Sequence, residues 1–221
     1  MKKLLVLFGL FCGLGMSFFA GQAAAAATTA DNKDLLPLGA EAPDFHLPDV
    51  VSGKVVSRDD FAKKKALLVI FICRHCPYVQ NMKKGLAKLA QDYADKDVAI
   101  VAISANDPAD LPQDAPTSLR EMAQEEGFKF PFLYDEGQEV AKAYTAICTP
   151  DPFLFDQQRR LVYRGQFDES RPHNGKPVTG KDLRMAIDAV LADEPGSADQ
   201  TPSTGCSIKW KSGNEPAYTT Q

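Results

Sequence analysis

Histidine, tryptophan and cysteine are scarce: three, one and five among 221 residues. So few cysteines in so long a chain exclude a small scaffold stapled by disulfides, and leave chemistry as their better explanation. Basic charge is also short. Twenty-five Lys and Arg face 29 Asp and Glu, a net charge of −4, which argues against a nucleic-acid surface. No second Cys/His pair at ligand spacing is present, so a complete structural zinc site is not written in the sequence. There is no internal repeat.

One long hydrophobic run exists, Leu4 to Ala20, after Lys2 and Lys3 and before the small residues Gly21 to Ala27. A charged start, an apolar core and an Ala-rich exit predict a signal peptide over 1–27 and an exported, periplasmic protein. The alternative is a retained N-terminal membrane anchor, since the run is close to bilayer length. Phe11 precedes Cys12, which argues against lipidation there. Cleavage would take the net charge from −4 to −6. About 194 residues would remain, enough for one domain with its own core. They hold Cys73, Cys76, Cys148 and Cys206, which an oxidising compartment would let pair.

Residues 28–37 read as a polar, flexible linker. Ser52-Gly53 marks a turn between two short strands, and Ser57 with Asp60 caps a helical turn. Leu67 to Ile72 is continuously apolar, the pattern of a strand buried on both faces. Val79, Met82, Leu86, Leu89 and Tyr93 then define one face of a helix over Tyr78 to Tyr93. Val98 to Ser104 is a second buried strand, so strand, helix and strand imply a parallel pair with a right-handed crossover. Asn106 to Ala115 is a loop. Ser118 with Glu121 predicts a capping box for a helix to about Glu126. Phe130 to Tyr134 is a strand or a loop, and Gln138 to Tyr144 a short helix. Residues 148–152 interrupt regular structure. Phe153 to Phe155 and Arg160 to Gly165 form a hairpin, and Lys181 to Leu191 is the last helix. Residues 193–221 form a polar tail holding Trp210, the one tryptophan.

The stretch Phe71-Ile-Cys-Arg-His-Cys-Pro-Tyr78 puts Cys73 and Cys76 where the buried strand becomes a helix. A helix start presents unpaired N–H groups and positive dipole, both favouring a thiolate. In such a pair the first cysteine is usually the exposed, attacking sulfur and the second resolves. His75 or Arg74, if cationic, would favour the Cys73 thiolate further. Lowering a thiol from about 8.5 to about 6 corresponds to roughly 3.4 kcal/mol. A helix end supplies about 2 kcal/mol at most, so other donors must complete the shift. Duller readings are half of a zinc site, an inert disulfide, and a surface His75.

Ala42-Pro43-Asp44-Phe45, the strand into Cys-x-x-Cys, and Thr149-Pro150 before Phe153-Leu-Phe-Asp156 resemble the thioredoxin superfamily. More narrowly they resemble its peroxiredoxin-like (AhpC/TSA, redoxin) branch, over about Leu38 to Ala192. The tail Gly205-Cys-Ser-Ile-Lys-Trp210 is similar to the ending of a bacterial subgroup with Cys-x-His-Cys-Pro-Tyr. The histidine before Cys76 is similar to that of the periplasmic disulfide-oxidase family. The resemblance implies an α/β thioredoxin-like fold: a central mixed sheet flanked by helices over 38–192, with an N-terminal β extension and a C-terminal tail. It also implies a cis Thr149-Pro150 bond facing the cysteines, with Thr149 and Pro150 binding substrate. An ordinary trans proline is the alternative.

The departures are informative. Peroxiredoxins carry Pro and Thr/Ser seven and three residues before the attacking cysteine. Val69 and Cys73 stand there relative to Cys76, and Ala66 and Ile70 relative to Cys73. The buried acid of thioredoxin, six residues before its first cysteine, is replaced by Leu67, which leaves the route of the proton open. Cys148 and Cys206 are candidate accessory thiols. Cys148 is either a second resolving thiol or a small packing residue, and Cys206 either reaches Cys148 or stays free. Asp168, Glu169 and Arg171, after the last strand, either flank the site or form a solvated turn.

These observations predict an exported thiol-disulfide oxidoreductase: Cys73 attacks, Cys76 resolves, His75 tunes the thiolate. Its partners would be a protein or small-molecule disulfide and a thiol electron donor, with no nucleic acid, no cofactor and no metal. Alternatives are a peroxiredoxin-like thiol peroxidase acting on hydroperoxides, and a metal-binding module using Cys73, Cys76 and His75.

Overall fold

A computed structural model describes residues 35–109, 111–197 and 199–219. The signal-peptide reading and most of the linker lie outside the described residues. Among the described residues no helix is long and apolar enough to cross a membrane.

The chain opens with a hairpin of β1 (His46–Pro48) and β2 (Val55–Ser57), turned at Ser52 and Gly53. A short 3₁₀ turn, Arg58–Phe61, follows. Asp60 secures its start by accepting the Ser57 N–H at 2.8 Å. The central strand β3 (Ala66–Phe71) is buried along its whole length, and so is β4 (Val98–Ser104). They pair in parallel across the crossover helix α1 (Pro77–Asp92). Then come α2 (Pro116–Glu125), β5 (Phe132–Tyr134) and the short α3 (Glu139–Ala143). The chain continues through β6 (Cys148–Thr149), β7 (Asp151–Phe155), β8 (Leu161–Arg164), α4 (Lys181–Leu191) and β9 (Cys206–Ser207).

The main sheet has the order β5-β4-β3-β7-β8. Its first three strands are parallel, β7 is antiparallel to β3 and β8 antiparallel to β7, so the sheet is mixed. Strand alternation gives β3 two apolar faces. Leu68 and Ile70 meet Val79, Met82 and Leu86 of α1 and Leu183 and Ile187 of α4. Leu67, Val69 and Phe71 turn the other way, to Phe45, Tyr144 and Phe153. On that side Phe71, Tyr144, Phe153 and Phe155 contact edge-to-face, with ring centres 5.5–5.9 Å apart. Burial on both faces is why β3 and β4 read as unbroken apolar runs.

Three local expectations are corrected. The second long helix starts at Pro116, with Ala115 as its N-cap, so Ser118 lies inside the first turn and makes no capping box. Proline suits that first position because its missing N–H has no helical partner to lose. The Ser118 hydroxyl donates to the Pro112 carbonyl instead, 3.2 Å away. Residues 148–152 are not irregular throughout: β6 and β7 take all but Pro150, where the chain passes from one sheet to another, and Pro152 is tolerated near a strand start. Nor is Asp168 part of a solvated turn. It is 3% exposed and accepts the N–H groups of Ser170, Thr179 and Gly180, fixing the loop before α4.

Candidate active site

The last turn of β3 runs through Ile72 into Cys73, and Cys76 is the N-cap of α1 with Pro77 at its first position. Both sulfurs therefore sit at the carboxyl end of the central strand and the amino end of a helix, as their position in the sequence implies. The expected exposure of Cys73 is not found: Cys73 and Cys76 are both 0% exposed. All four described cysteines are free thiols.

Opposite the pair lies β6. The Thr149-Pro150 peptide is cis, as the resemblance implies. The Thr149 hydroxyl is 3.1 Å from Cys73 Sγ, and its carbonyl is 3.0 Å from Cys76 Sγ. Thr149 thus touches both sulfurs.

The acidic sulfur is Cys76 rather than Cys73. The Cys73 thiol donates toward Cys76, and the backbone N–H of Val79 and both the thiol and the backbone N–H of Cys206 also converge there. These donors hold the Cys76 thiol well below the ordinary cysteine range, with the helix start adding its dipole. Two things oppose this: burial of Cys76, and the Thr149 carbonyl, which offers it an acceptor for its proton. The four donors outweigh both. Cys73 moves the other way. Its bond to Cys76 keeps it protonated, and burial and the nearby Asp114 carboxylate add to that. Cys73 holds the proton and Cys76 the charge, because the Cys73 thiol donates to Cys76 while burial and Asp114 oppose charge on Cys73.

The two candidate cations are committed elsewhere. Arg74 turns toward α2, pairing with Glu121 at 2.8 Å and Glu125 at 3.1 Å. His75 Nδ1 lies 3.5 Å from Cys73 Sγ but only 2.5 Å from Asp114 Oδ2. Asp114 is the residue that sequence reasoning missed. It is fully buried and accepts the N–H groups of Arg74 and His75 at 2.8 and 3.0 Å, and Asn106 Nδ2 at 2.8 Å. Its only signal was being one of three aspartates in a Pro-rich loop. It supplies a buried carboxylate beside the cysteines from another element, where Leu67 occupies the position used by thioredoxin. Donor atoms of Cys73, His75 and Asp114 lie within 4.8 Å of one another, close enough to hold a metal ion. Asp114 is already saturated by N–H donors, which disfavours that use.

The accessory thiols separate. Thr149 pairs with Cys206, and Cys148 with Ser207. Strand alternation then sends Cys148 away from the pair. Its sulfur lies 3.5 Å from the Pro150 carbonyl, and burial pushes its thiol up, so Cys148 is a packing residue. Cys206 meets Cys76 instead of Cys148.

A model of the AhpC/TSA family matches residues 38–164. The chain belongs to the AhpC/TSA family. The thiol-disulfide oxidoreductase ResA of Bacillus thuringiensis subsp. konkukian is 28% identical over 130 residues, 59% of this chain and 70% of that protein. The crystal structure of an uncharacterized conserved protein from Geobacillus kaustophilus is 50% identical with TM-score 0.78, covering 80% of this chain and 94% of that one. The thioredoxin domain of a thiol-disulfide oxidoreductase from Bacteroides vulgatus, 20% identical, superposes with TM-score 0.52 over 68% of this chain and 97% of that domain. The last likeness is one of fold. This AhpC/TSA protein is therefore an oxidoreductase of the thioredoxin superfamily, on its redoxin branch.

Proposed function

We propose that the protein is a thiol-disulfide exchange enzyme, exported to an oxidising compartment, whose Cys73–Cys76 pair cycles between dithiol and disulfide. The observation that carries this reading is the setting of Cys76 Sγ, at a helix start and ringed by N–H and S–H donors. The Cys76 thiolate attacks a substrate disulfide and releases one substrate thiolate. Cys73 then loses its proton, attacks Cys76 Sγ and releases the second, which leaves a Cys73–Cys76 disulfide. A thiol donor returns the pair to the dithiol. The Cys73 proton passes to the substrate thiolate already released. His75 lies 3.5 Å from Cys73 Sγ and is held there by Asp114, so it is a positioning residue. Thr149 and Pro150 border the place where substrate docks. A cleft lined by Tyr78, Met82, Pro150, Phe167 and Ser203 opens beside them.

The test is turnover of a disulfide-bonded peptide by the full chain and its Cys76→Ser variant. Turnover should be lost; full activity in that variant would sink the assignment. In a Cys206→Ser chain, oxidised glutathione should link Cys73 to Cys76, and dithiothreitol should reopen the bond.

Hydroperoxide reduction is the second reading. The Thr149 hydroxyl beside Cys73 favours it, because it stands where a peroxide oxygen would need a polar contact. Stoichiometric peroxide should then oxidise the reduced chain far faster than it oxidises free cysteine; an equal rate leaves only exchange.

A further inference from the structure

The edge of β6 is where an extended substrate would add as a strand beside the sulfurs. Here the chain's own β9 holds that edge, with Cys206 opposite Thr149, the residue that touches both cysteines. The side chain delivered to the site is itself a thiol, and it meets Cys76. Cys206 is partly exposed, whereas the pair beneath it is sealed.

The approach is built into the sequence. A Cβ on Gly205 would lie 2.0 Å from the Thr149 carbonyl oxygen and 3.1 Å from Pro150 N, so only glycine lets the strand come this close. Beyond Cys206 the strap is anchored again. Ile208 is 3% exposed, the Lys209 N–H donates to Asn106 Oδ1 at 2.9 Å, and its carbonyl accepts the Asp107 N–H at 2.8 Å. Asn106 also holds Asp114, so strap and active site share one hydrogen-bond chain.

We propose that β9 is a tethered pseudo-substrate and Cys206 a third redox thiol, which opens the Cys73–Cys76 disulfide and stores the enzyme as a Cys76–Cys206 disulfide. This rests on the exchange chemistry proposed for Cys73 and Cys76. Cys206 gives up its proton and its sulfur attacks Cys76 Sγ. The Cys73–Cys76 bond breaks as the Cys76–Cys206 bond forms, and the electron pair leaves on Cys73, which takes up a proton. One thiol and one disulfide stand on each side, so no further oxidant is required. The original oxidising equivalent comes from the disulfide substrate. Tethering gives the attack an effective concentration of at least the millimolar order, so dilute external thiols compete poorly. The stored form excludes substrate strands until a thiol donor reduces it.

The test is disulfide mapping by mass spectrometry after exposing the reduced full chain to oxidised glutathione. Wild type should yield peptides linked through Cys76 and Cys206, and Cys73→Ser should yield that link almost exclusively. Gly205→Ala, which lifts the strap, should lose it while retaining the Cys73–Cys76 link. If Cys206 stays free in Cys73→Ser while Cys76 carries glutathione, the proposal is overturned. If Cys206→Ser fails to form the Cys73–Cys76 bond, the exchange reading fails instead; a Cys76–Cys206 link in Cys73→Ser would still support the third thiol.

Discussion

Replacing Asp114 by asparagine removes one charge and almost no volume, so its effect isolates what the carboxylate does. Oδ1 accepts the backbone N–H groups of Arg74 and His75, and the asparagine oxygen can keep both. Oδ2 accepts from His75 Nδ1 and Asn106 Nδ2, and there the new NH₂ meets two donors. Asn106 cannot flip to answer it, because its own oxygen holds the Lys209 N–H. Two donors, one buried on Asn106 and one partly buried on His75, are stranded at about 1–3 kcal/mol each, so a loss of about 2–6 kcal/mol is expected. Urea unfolding of the reduced protein measures it. A loss of about 0.5 kcal/mol or less, the range of an exposed surface change, would refute the reasoning. The same substitution removes a negative charge that holds the Cys73 proton in place, so Cys73 should ionise at lower pH than in wild type. Thiolate absorbance, followed in a Cys76→Ser background, reads that shift.

Cys76 is more acidic folded than unfolded, so its ionisation stabilises the reduced fold above the unfolded thiol value of about 8.5, and that gain fades as pH falls through the lower folded value. Urea midpoints of wild type and Cys76→Ser should therefore diverge as pH rises; parallel curves at every pH would contradict an acidic Cys76. Arg164 faces the fully buried Asp151 at 3.5 Å. Arg164→Met should cost about 3–5 kcal/mol at neutral pH by leaving that carboxylate unpaired. Burial already pushes the Asp151 carboxyl up, so the folded form takes its proton at higher pH than the unfolded, and the deficit should shrink toward acid.

The long elements were legible because their patterns are local. An unbroken apolar run of six residues closed by Ser104 marked both ends of β4, and three- and four-residue spacing marked α4. The hairpin of β7 and β8 followed from the turn at Asp156 to Arg159. The motif at Cys73 and Cys76 was legible for the same reason: strand, thiols and helix are contiguous. What escaped depends on contacts between distant segments. Asp114 lies 39 residues from the His75 it holds, in a loop without periodicity. Strand β9 is two residues long and follows a polar stretch, so neither hydropathy nor length betrays it. The identity of the acidic sulfur escaped too, because it turns on which thiol of the pair donates to the other and on a tail thiol 130 residues away.

Trp210 lies four residues beyond Cys206 and packs against the core face that holds Phe71 and Phe153. It is the chain's only indole. Ultraviolet emission of the unlabelled protein is therefore dominated by one side chain, and that side chain rides on the segment roofing the two sulfurs. Lifting the segment would carry the indole from an apolar wall into water and redden its emission. The molecule carries its own optical gauge of whether its redox centre is open or shut.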